Sequence, residues 1–224
     1  MAAPGRLVAF EGIDGSGKST QARLLAAAAG AQMTAEPGAT PVGAALRRIL
    51  LDPALPDLDG RTEALLMVAD RAEHVAQVLR PSLEAGRWVV TDRYSGSTLA
   101  YQGFGRGLEL GELRWLVDWA TGGLSADLNV VLAVDVGTAL DRADARHRAG
   151  ATSGDIGPAR PVADRIERRG HAFQERVAAG FAELASAEPE RWAVVDGSGP
   201  VEVVAAAVRV AVAERLGDPP GGWR

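Results

Sequence analysis

Residues Gly12-Ile13-Asp14-Gly15-Ser16-Gly17-Lys18-Ser19 fit the pattern G-x-x-x-x-G-K-[ST], directly after the apolar run Leu7-Val8-Ala9-Phe10 and directly before a helical stretch. Such a feature requires a strand, a tight turn and a helix N-terminus in succession. Glycines let successive backbone N–H groups turn inward around phosphate oxygens, where a side chain would obstruct the approach. That is the requirement read at Gly12, Gly15 and Gly17. The helix starting near Lys18 points its positive end at the same oxygens, the lysine adds a mobile charge over β and γ phosphates, and Ser19 can coordinate magnesium. A glycine-rich turn that merely joins strand to helix has no reason to combine lysine and hydroxyl at these spacings. The stretch assigned to ATP is therefore Gly12, Asp14, Gly15, Ser16, Gly17, Lys18, Ser19 and Thr20.

The rest of the chain alternates short apolar runs with longer amphipathic stretches, the pattern of a layered α/β fold with a mostly parallel sheet. Five strands are predicted, near Arg6 to Glu11, Gln32 to Thr34, Trp88 to Thr91, Leu128 to Asp135 and Trp192 to Val195. Helices are predicted over Lys18 to Ala29, Pro41 to Leu51, Arg61 to Ala85, Ser95 to Gln102, Gly111 to Ala120, Thr138 to Arg148, Val162 to Ala187 and Pro200 to Leu216. Asp52 to Asp59, with prolines and aspartates, and Gly150 to Pro161, with glycine, proline and small residues, read as loops. The second lies between arginine-bearing helices, as a flap over a ligand would. One domain over residues 1–216 is expected, with a lid at about 142–165 and a frayed tail over 217–224.

Composition narrows the partners. A formal net charge of −5 argues against a surface for a nucleic acid polymer, which rests on many phosphate contacts. With no cysteine, disulfides, thiolate zinc sites and cysteine nucleophiles are excluded. No apolar run approaches a bilayer span and no leader pattern precedes the first strand, so a cytoplasmic protein off the membrane is expected. No histidine or carboxylate cluster has metal-ligand spacing, so magnesium is expected to arrive with ATP.

A phosphate cradle alone serves GTPases, ATPases and kinases of several kinds. After the fourth strand stands Asp135-Val136-Gly137-Thr138 instead of the N-K-x-D guanine signature. Three further segments decide the matter: Glu36-Pro37-Gly38 with Arg47 downstream, Asp92-Arg93-Tyr94 leading to Ala100-Tyr101-Gln102-Gly103, and Asp164-Arg165-Ile166-Glu167. With Phe10-Glu11-Gly12-Ile13-Asp14-Gly15 they resemble the thymidylate kinase family from Phe10 through Glu167.

That resemblance implies a three-layer P-loop nucleotide kinase fold with a small lid, ATP-dependent phosphorylation of dTMP to dTDP, and a homodimer. It places Asp92 near the magnesium water shell with Ser19, and Arg93 on the acceptor phosphate. Phosphoryl transfer between two anions needs such arginines and such a carboxylate. It further puts Arg71 against the thymine edge, Thr98 and Gln102 near the base with Ser97 and Met67, Tyr101 beside the sugar and Asp14 at the 3′-hydroxyl. Glu36 and Arg47 close the acceptor site from the other side. Because the P-loop itself lacks an arginine, the lid is expected to supply catalytic charge, with Arg142 and Arg146 the preferred pair beside Lys18, Asp92 and Arg93.

Three positions depart from the family pattern: Ala35 stands where an arginine often precedes the Glu-Pro pair, Met67 where an aromatic residue stacks on thymine, and Ala39 after Gly38 where paired glycines are usual. Methionine packs a polarizable sulfur on a base without a ring's flat area. The alternatives left open are a related P-loop kinase for another pyrimidine deoxynucleotide or a nucleoside, and a non-catalytic nucleotide-binding protein.

Overall fold

The computed structural model describes residues 5–148 and 164–224. Five strands form one parallel sheet in the order β2-β3-β1-β4-β5: β1 Leu7–Glu11, β2 Gln32–Ala35, β3 Val89–Asp92, β4 Leu128–Ala133 and β5 Trp192–Asp196. Every residue of β1 is buried, as expected of a strand covered on both faces, where an apolar run replaces alternation. Its register sets Phe10 beside Asp92 of β3 and beside Val130 of β4.

Helices cover both faces. On one, Val8 and Phe10 pack with Ala22 and Leu25 of α1 (Lys18–Ala29) and with Val204, Val208 and Val212 of α9 (Val201–Leu216). Those valines recur at four-residue spacing, one face of a helix. On the other, Leu7 and Ala9 meet Val75 and Leu79, and Val131 and Trp192 pack under Phe173, Val177 and Phe181 of α8 (His171–Ala187). The remaining helices are α2 Pro41–Leu51, α3 Gly60–His74, α4 Arg80–Glu84, α5 Ser95–Thr98, α6 Leu110–Thr121 and α7 Val136–Arg148. Among the described residues no helix is long and apolar enough to cross a membrane.

Several boundaries differ from those predicted. The helix predicted over Arg61 to Ala85 is α3, a π-helical turn Val75–Leu79 and α4 in succession. Pro81 has no N–H to return to the carbonyl four residues earlier, and the wider turn accommodates that loss. Likewise Ser95 to Gln102 is α5 followed by a π-helix, Leu99–Gly105. Of the helix predicted over Val162 to Ala187, the part from Asp164 onward becomes α-helical at His171, because Gly170 takes φ 76° and residues Glu167–Arg169 form a short 3₁₀ turn. β4 stops at Ala133, and the Asp135 carboxylate accepts from Thr138 N at 3.0 Å at the start of α7. The tail, expected to fray, returns to the body: Arg224 N donates to Ala28 O at 2.8 Å, and Trp223 packs against the α1 and α9 side of the core. Of the expected lid at 142–165, residues 149–163, which include the flap Gly150 to Pro161, lie outside the described residues.

Candidate active site

In an open parallel sheet the crevice for ligands opens at the carboxyl ends of the strands where chain order reverses. Here β1 lies between β3 and β4, and the loops after β1 and β3 meet around a cavity of about 320 Å³.

The phosphate loop follows β1. Gly17 caps α1 in the left-handed region at φ 96° and offers no side chain, so the positive end of the helix opens toward the cavity. Gly15 is also left-handed at φ 83°, and a Cβ there would lie 1.9 Å from Ala139 O of α7. Ligand approach is the reason expected for this glycine, but the obstruction is protein backbone. Lys18 is buried and its Nζ donates to Ile13 O at 2.7 Å, folding the lysine across the loop. Ser19 Oγ donates to Asp92 Oδ2 at the end of β3. Asp92 Oδ1 is buried with no hydrogen-bond partner among the described residues. A hydroxyl and a carboxylate that keeps one unsatisfied buried oxygen make a hard-oxygen donor set that fits Mg²⁺.

Arg93 follows Asp92 with φ 71°, in the left-handed region that few non-glycine residues adopt. Its N–H donates to Phe10 O at 2.9 Å, Nη1 to Gly12 O at 3.2 Å and to Ser97 Oγ at 3.1 Å, and Nη2 to the Asp14 carboxylate and to Tyr101 Oη at 3.1 Å. Tyr101 Oη in turn donates to Asp14 at 3.0 Å. Burial would raise the Asp14 pKa, but Arg93 and Lys18 outweigh it and hold the carboxyl below its usual value. Beneath them Glu11 accepts from Tyr94 N, Ser97 N and Ser97 Oγ, yet its burial pushes the carboxyl up to about 7 against those bonds.

The far wall is built on Arg71, which is 2% exposed. Its Nε donates to Glu36 Oε2, Nη1 to Thr98 Oγ1 and Nη2 to Tyr94 O, each at 2.8 Å. His74 backs Glu36 at 2.8 Å and reaches Thr34 Oγ1 at 2.8 Å. Burial pushes the Glu36 carboxyl up, but the charges and hydrogen bonds of Arg71 and His74 bring it below its ordinary value. Arg47 Nη1 donates to Pro37 O at 2.7 Å. Met67 is half-buried at the cavity, and Gln102 Nε2 donates to Glu63 Oε1 at 2.8 Å.

Asp14, Gly15, Gly17, Lys18, Ser19, Thr20, Glu36, Arg47, Met67, Arg71, Asp92, Arg93, Ser97, Thr98, Tyr101, Gln102 and Arg146 thus share one cavity. Gly12, Ser16 and Arg142 do not line it. Gly12 and Ser16 lie within the loop, whereas Arg142 donates to Gly197 O at 2.9 Å and Ser198 O at 3.0 Å, in the turn after β5. The expected pair of lid arginines is therefore split. Arg146, one turn further along α7, lines the cavity with Nη2 3.5 Å from Glu167 Oε1. Burial, then Asp164 and Asp14, push the Glu167 carboxyl up to about 7.

Sequence reasoning missed the residues behind this first layer. His74 follows Arg71 at the i, i+3 spacing that places both on one helix face, a signal that could have linked them. Glu63, Arg106 and Arg169 gave none: they meet from three elements, and Arg169 fell inside a helix predicted too long.

Comparison with known proteins points to one family. The thymidylate kinase family model matches residues 10–208. The chain is 43% identical over 222 residues to a thymidylate kinase of Desulforudis audaxviator, covering 96% of this chain and 94% of that protein. It is 48% identical over 206 residues to one of Solidesulfovibrio magneticus, covering 90% and 95%. A crystal structure of thymidylate kinase from Ehrlichia chaffeensis superimposes with a TM-score of 0.73 at 27% identity, over 93% of this chain and 100% of that one.

Proposed function

The chain belongs to the thymidylate kinase family, and we propose, on that premise, the following division of labour for its reaction, ATP-dependent phosphorylation of dTMP to dTDP. An oxygen of the dTMP phosphate attacks the γ-phosphorus of ATP, a new P–O bond forms, the bond to the β,γ-bridging oxygen breaks, and ADP leaves with that electron pair. The attacking oxygen is already anionic, so no strong general base is needed. The work left to the protein is alignment and charge compensation. What carries the reading is the meeting of the P-loop, the Asp92-Arg93 strand end and the Arg71–Gln102 wall around one cavity.

Backbone amides of the P-loop and Lys18 hold the β and γ phosphates. Ser19 and Asp92 would hold Mg²⁺, partly through water, and the ion supplies charge neutralisation at the β and γ oxygens. Arg93 reaches the acceptor phosphate by exchanging its contact with Asp14 for phosphate oxygens. Asp14 and Tyr101 then face the sugar, and Arg71, Thr98, Gln102 and Met67 take the base. With no arginine at position 35, Arg47 and Arg93 carry more of the acceptor charge. Arg146 is the lid-side cation poised at the transferring group. Arg142, tied to the turn after β5, supports that turn.

A cytoplasmic homodimer is proposed with this reading. The support for self-association is an exposed apolar face on two packed helices, with Leu65 on α3 and the stacked Trp115 and Trp119 on α6.

The test is ADP release with dTMP, dUMP, dCMP and thymidine side by side. dTMP is expected to give the highest kcat/KM. Faster turnover of another acceptor overturns the dTMP assignment, and ATP binding with no ADP from any acceptor overturns the kinase reading.

A further inference from the structure

At the base end of the cavity, hydrogen-bond directions are dictated from behind. Gln102 is 1% exposed, and its Nε2 meets Glu63 Oε1 at 2.8 Å. Glu63 is fully buried on α3, and its Oε2 accepts from Arg106 Nη2 at 3.1 Å, from Arg165 Nη1 at 3.4 Å and from Arg169 Nη2. Burial would raise the Glu63 pKa, but the hydrogen bonds from Arg169, Arg106 and Gln102 keep the carboxyl below its ordinary value. An ionised carboxylate has no hydrogen to donate, so the Gln102 atom that faces it must be the NH₂. The carbonyl oxygen is then left for the cavity that Gln102 lines.

Arg71, held by Thr98 four residues before Gln102 and lining the same cavity, has three of a guanidinium's five N–H groups engaged by Glu36, Thr98 and Tyr94 O, which leaves two donors. The wall therefore offers donors next to one fixed acceptor. A thymine or uracil edge presents an acceptor, O4, next to a donor, N3–H. A cytosine edge presents the reverse, an N4 amino donor next to the N3 acceptor. Only the imide matches at both positions.

We propose that Glu63 is a positioning residue for base selection: it locks the Gln102 amide with its oxygen toward the base, so that an imide is accepted and cytosine refused. This rests on the dTMP kinase reading above and adds to it a residue that never touches substrate.

The same cluster makes the device invertible. In Glu63→Gln, the three arginine nitrogens around Oε2 retain the new carbonyl oxygen there, while the Oε1 position, met by one arginine nitrogen at 3.1 Å, receives the NH₂. Gln102 must then turn its oxygen toward residue 63 and its NH₂ toward the cavity. A merely structural role for Glu63 would instead weaken both acceptors alike.

The experiment compares kcat/KM for dTMP and dCMP in the wild type, E63Q, Q102A and the double variant. E63Q is expected to lower the dTMP to dCMP ratio at least about tenfold, the scale of one unmatched buried hydrogen bond, and to leave the ratio unmoved when Gln102 is already alanine. An unchanged ratio in E63Q, or an equal change in the Q102A background, overturns the inference while the dTMP reaction stands. A wild type that does not phosphorylate dTMP overturns both. A measurement that needs no Glu63 variant follows the Gln102 side-chain amide in the wild type by NMR, assigned by its loss in Q102A. Slow hydrogen exchange of that NH₂ with dTMP bound is expected, and exchange at the rate of an exposed amide overturns the proposal.

Discussion

Arg71 shows how much rests on one planar side chain. Its three bonded nitrogens point to a carboxylate, a hydroxyl and a backbone carbonyl in different directions, and none of those partners is exposed. A lysine ammonium has donors enough but lacks the rigid fork, so it cannot span all three. Arg71→Lys leaves at least one buried acceptor unpaired, at about 1–3 kcal/mol, besides losing a base contact. The expected result is a fall of at least about a hundredfold in kcat/KM for dTMP with KM for ATP little changed, read by steady-state kinetics at varied concentrations of each substrate. Glu11 carries a different liability. Its pKa rises from 4.5 to about 7 because burial outweighs the bonds from Ser97 and Tyr94. Between those values the folded chain holds a proton that the unfolded chain has released, so stability falls as pH rises through that window and levels off above it. Glu167, also raised to about 7, acts in the same direction. Glu11→Gln removes the Glu11 titration, a contribution on the order of 3 kcal/mol. Thermal unfolding at pH 5 and pH 8 is expected to show a smaller decline for the variant than for the wild type.

The π-helix Leu99–Gly105 and α8 are fitted to each other by glycines opposite aromatic rings. A Cβ on Gly105 would lie 2.6 Å from the Phe173 ring, and one on Gly180 would lie 2.6 Å from Phe104. Tyr101 stands on this seam with its ring edge-on to Phe173 and Phe181 at 6.1 and 6.2 Å, so the packing that holds the two elements also aims its hydroxyl at Asp14. Gly105→Ala overpacks a buried ring, and a loss of about 1–3 kcal/mol is expected. In a chain of this length that appears as a fall of a few degrees in Tm by calorimetry, to about 10 °C at most. The seam also marks what the sequence could tell. The P-loop was legible because its parts are contiguous, and the strands because apolar runs bounded by turns leave little choice. The residue-by-residue acceptor assignments came from resemblance, and all of those side chains line the cavity, whereas Gly12 and Ser16, assigned to ATP from the motif, and Arg142, assigned to the lid from the resemblance, do not. Hydrophobic periodicity does not register a helix that widens by one residue, so both π turns were invisible. Gly105 was visible as a glycine, but its reason lies in Phe173, on another helix. Glu63 and Arg169 act on the site through other side chains, and nothing in their local sequence announces that, whereas His74 was marked only by its spacing from Arg71.

The five parallel strands deliver every loop that bears phosphate or base contacts to one end of the sheet, which leaves the outer faces of the helices for other uses. Several carry exposed aliphatic side chains, such as Leu24 on α1 and Val203 and Val210 on α9, but α3 and α6 pack together and carry Leu65 at 56%, Trp115 at 68% and Trp119 at 70% exposure. Isolated exposed apolar residues are unremarkable, whereas two indoles stacked with ring centroids 6.5 Å apart form a surface that water serves poorly. A two-fold axis would set the same face of a second copy against it and bury four indoles, each of about 150–250 Å². Carboxylates placed there would have to lose water without a partner, at a cost that removes a contact of this size. The expected behaviour is a dimer by multi-angle light scattering for the wild type and a monomer for the W115E/W119E double variant, with circular dichroism unchanged because neither side chain belongs to the core. A wild type that scatters as a single chain at micromolar concentration would remove the dimer. A dimeric double variant would move the interface to another face. Because α3 also carries Glu63, Met67 and Arg71, loss of the partner is expected to raise KM for dTMP more than KM for ATP, and that asymmetry would tie assembly to the acceptor half of the site.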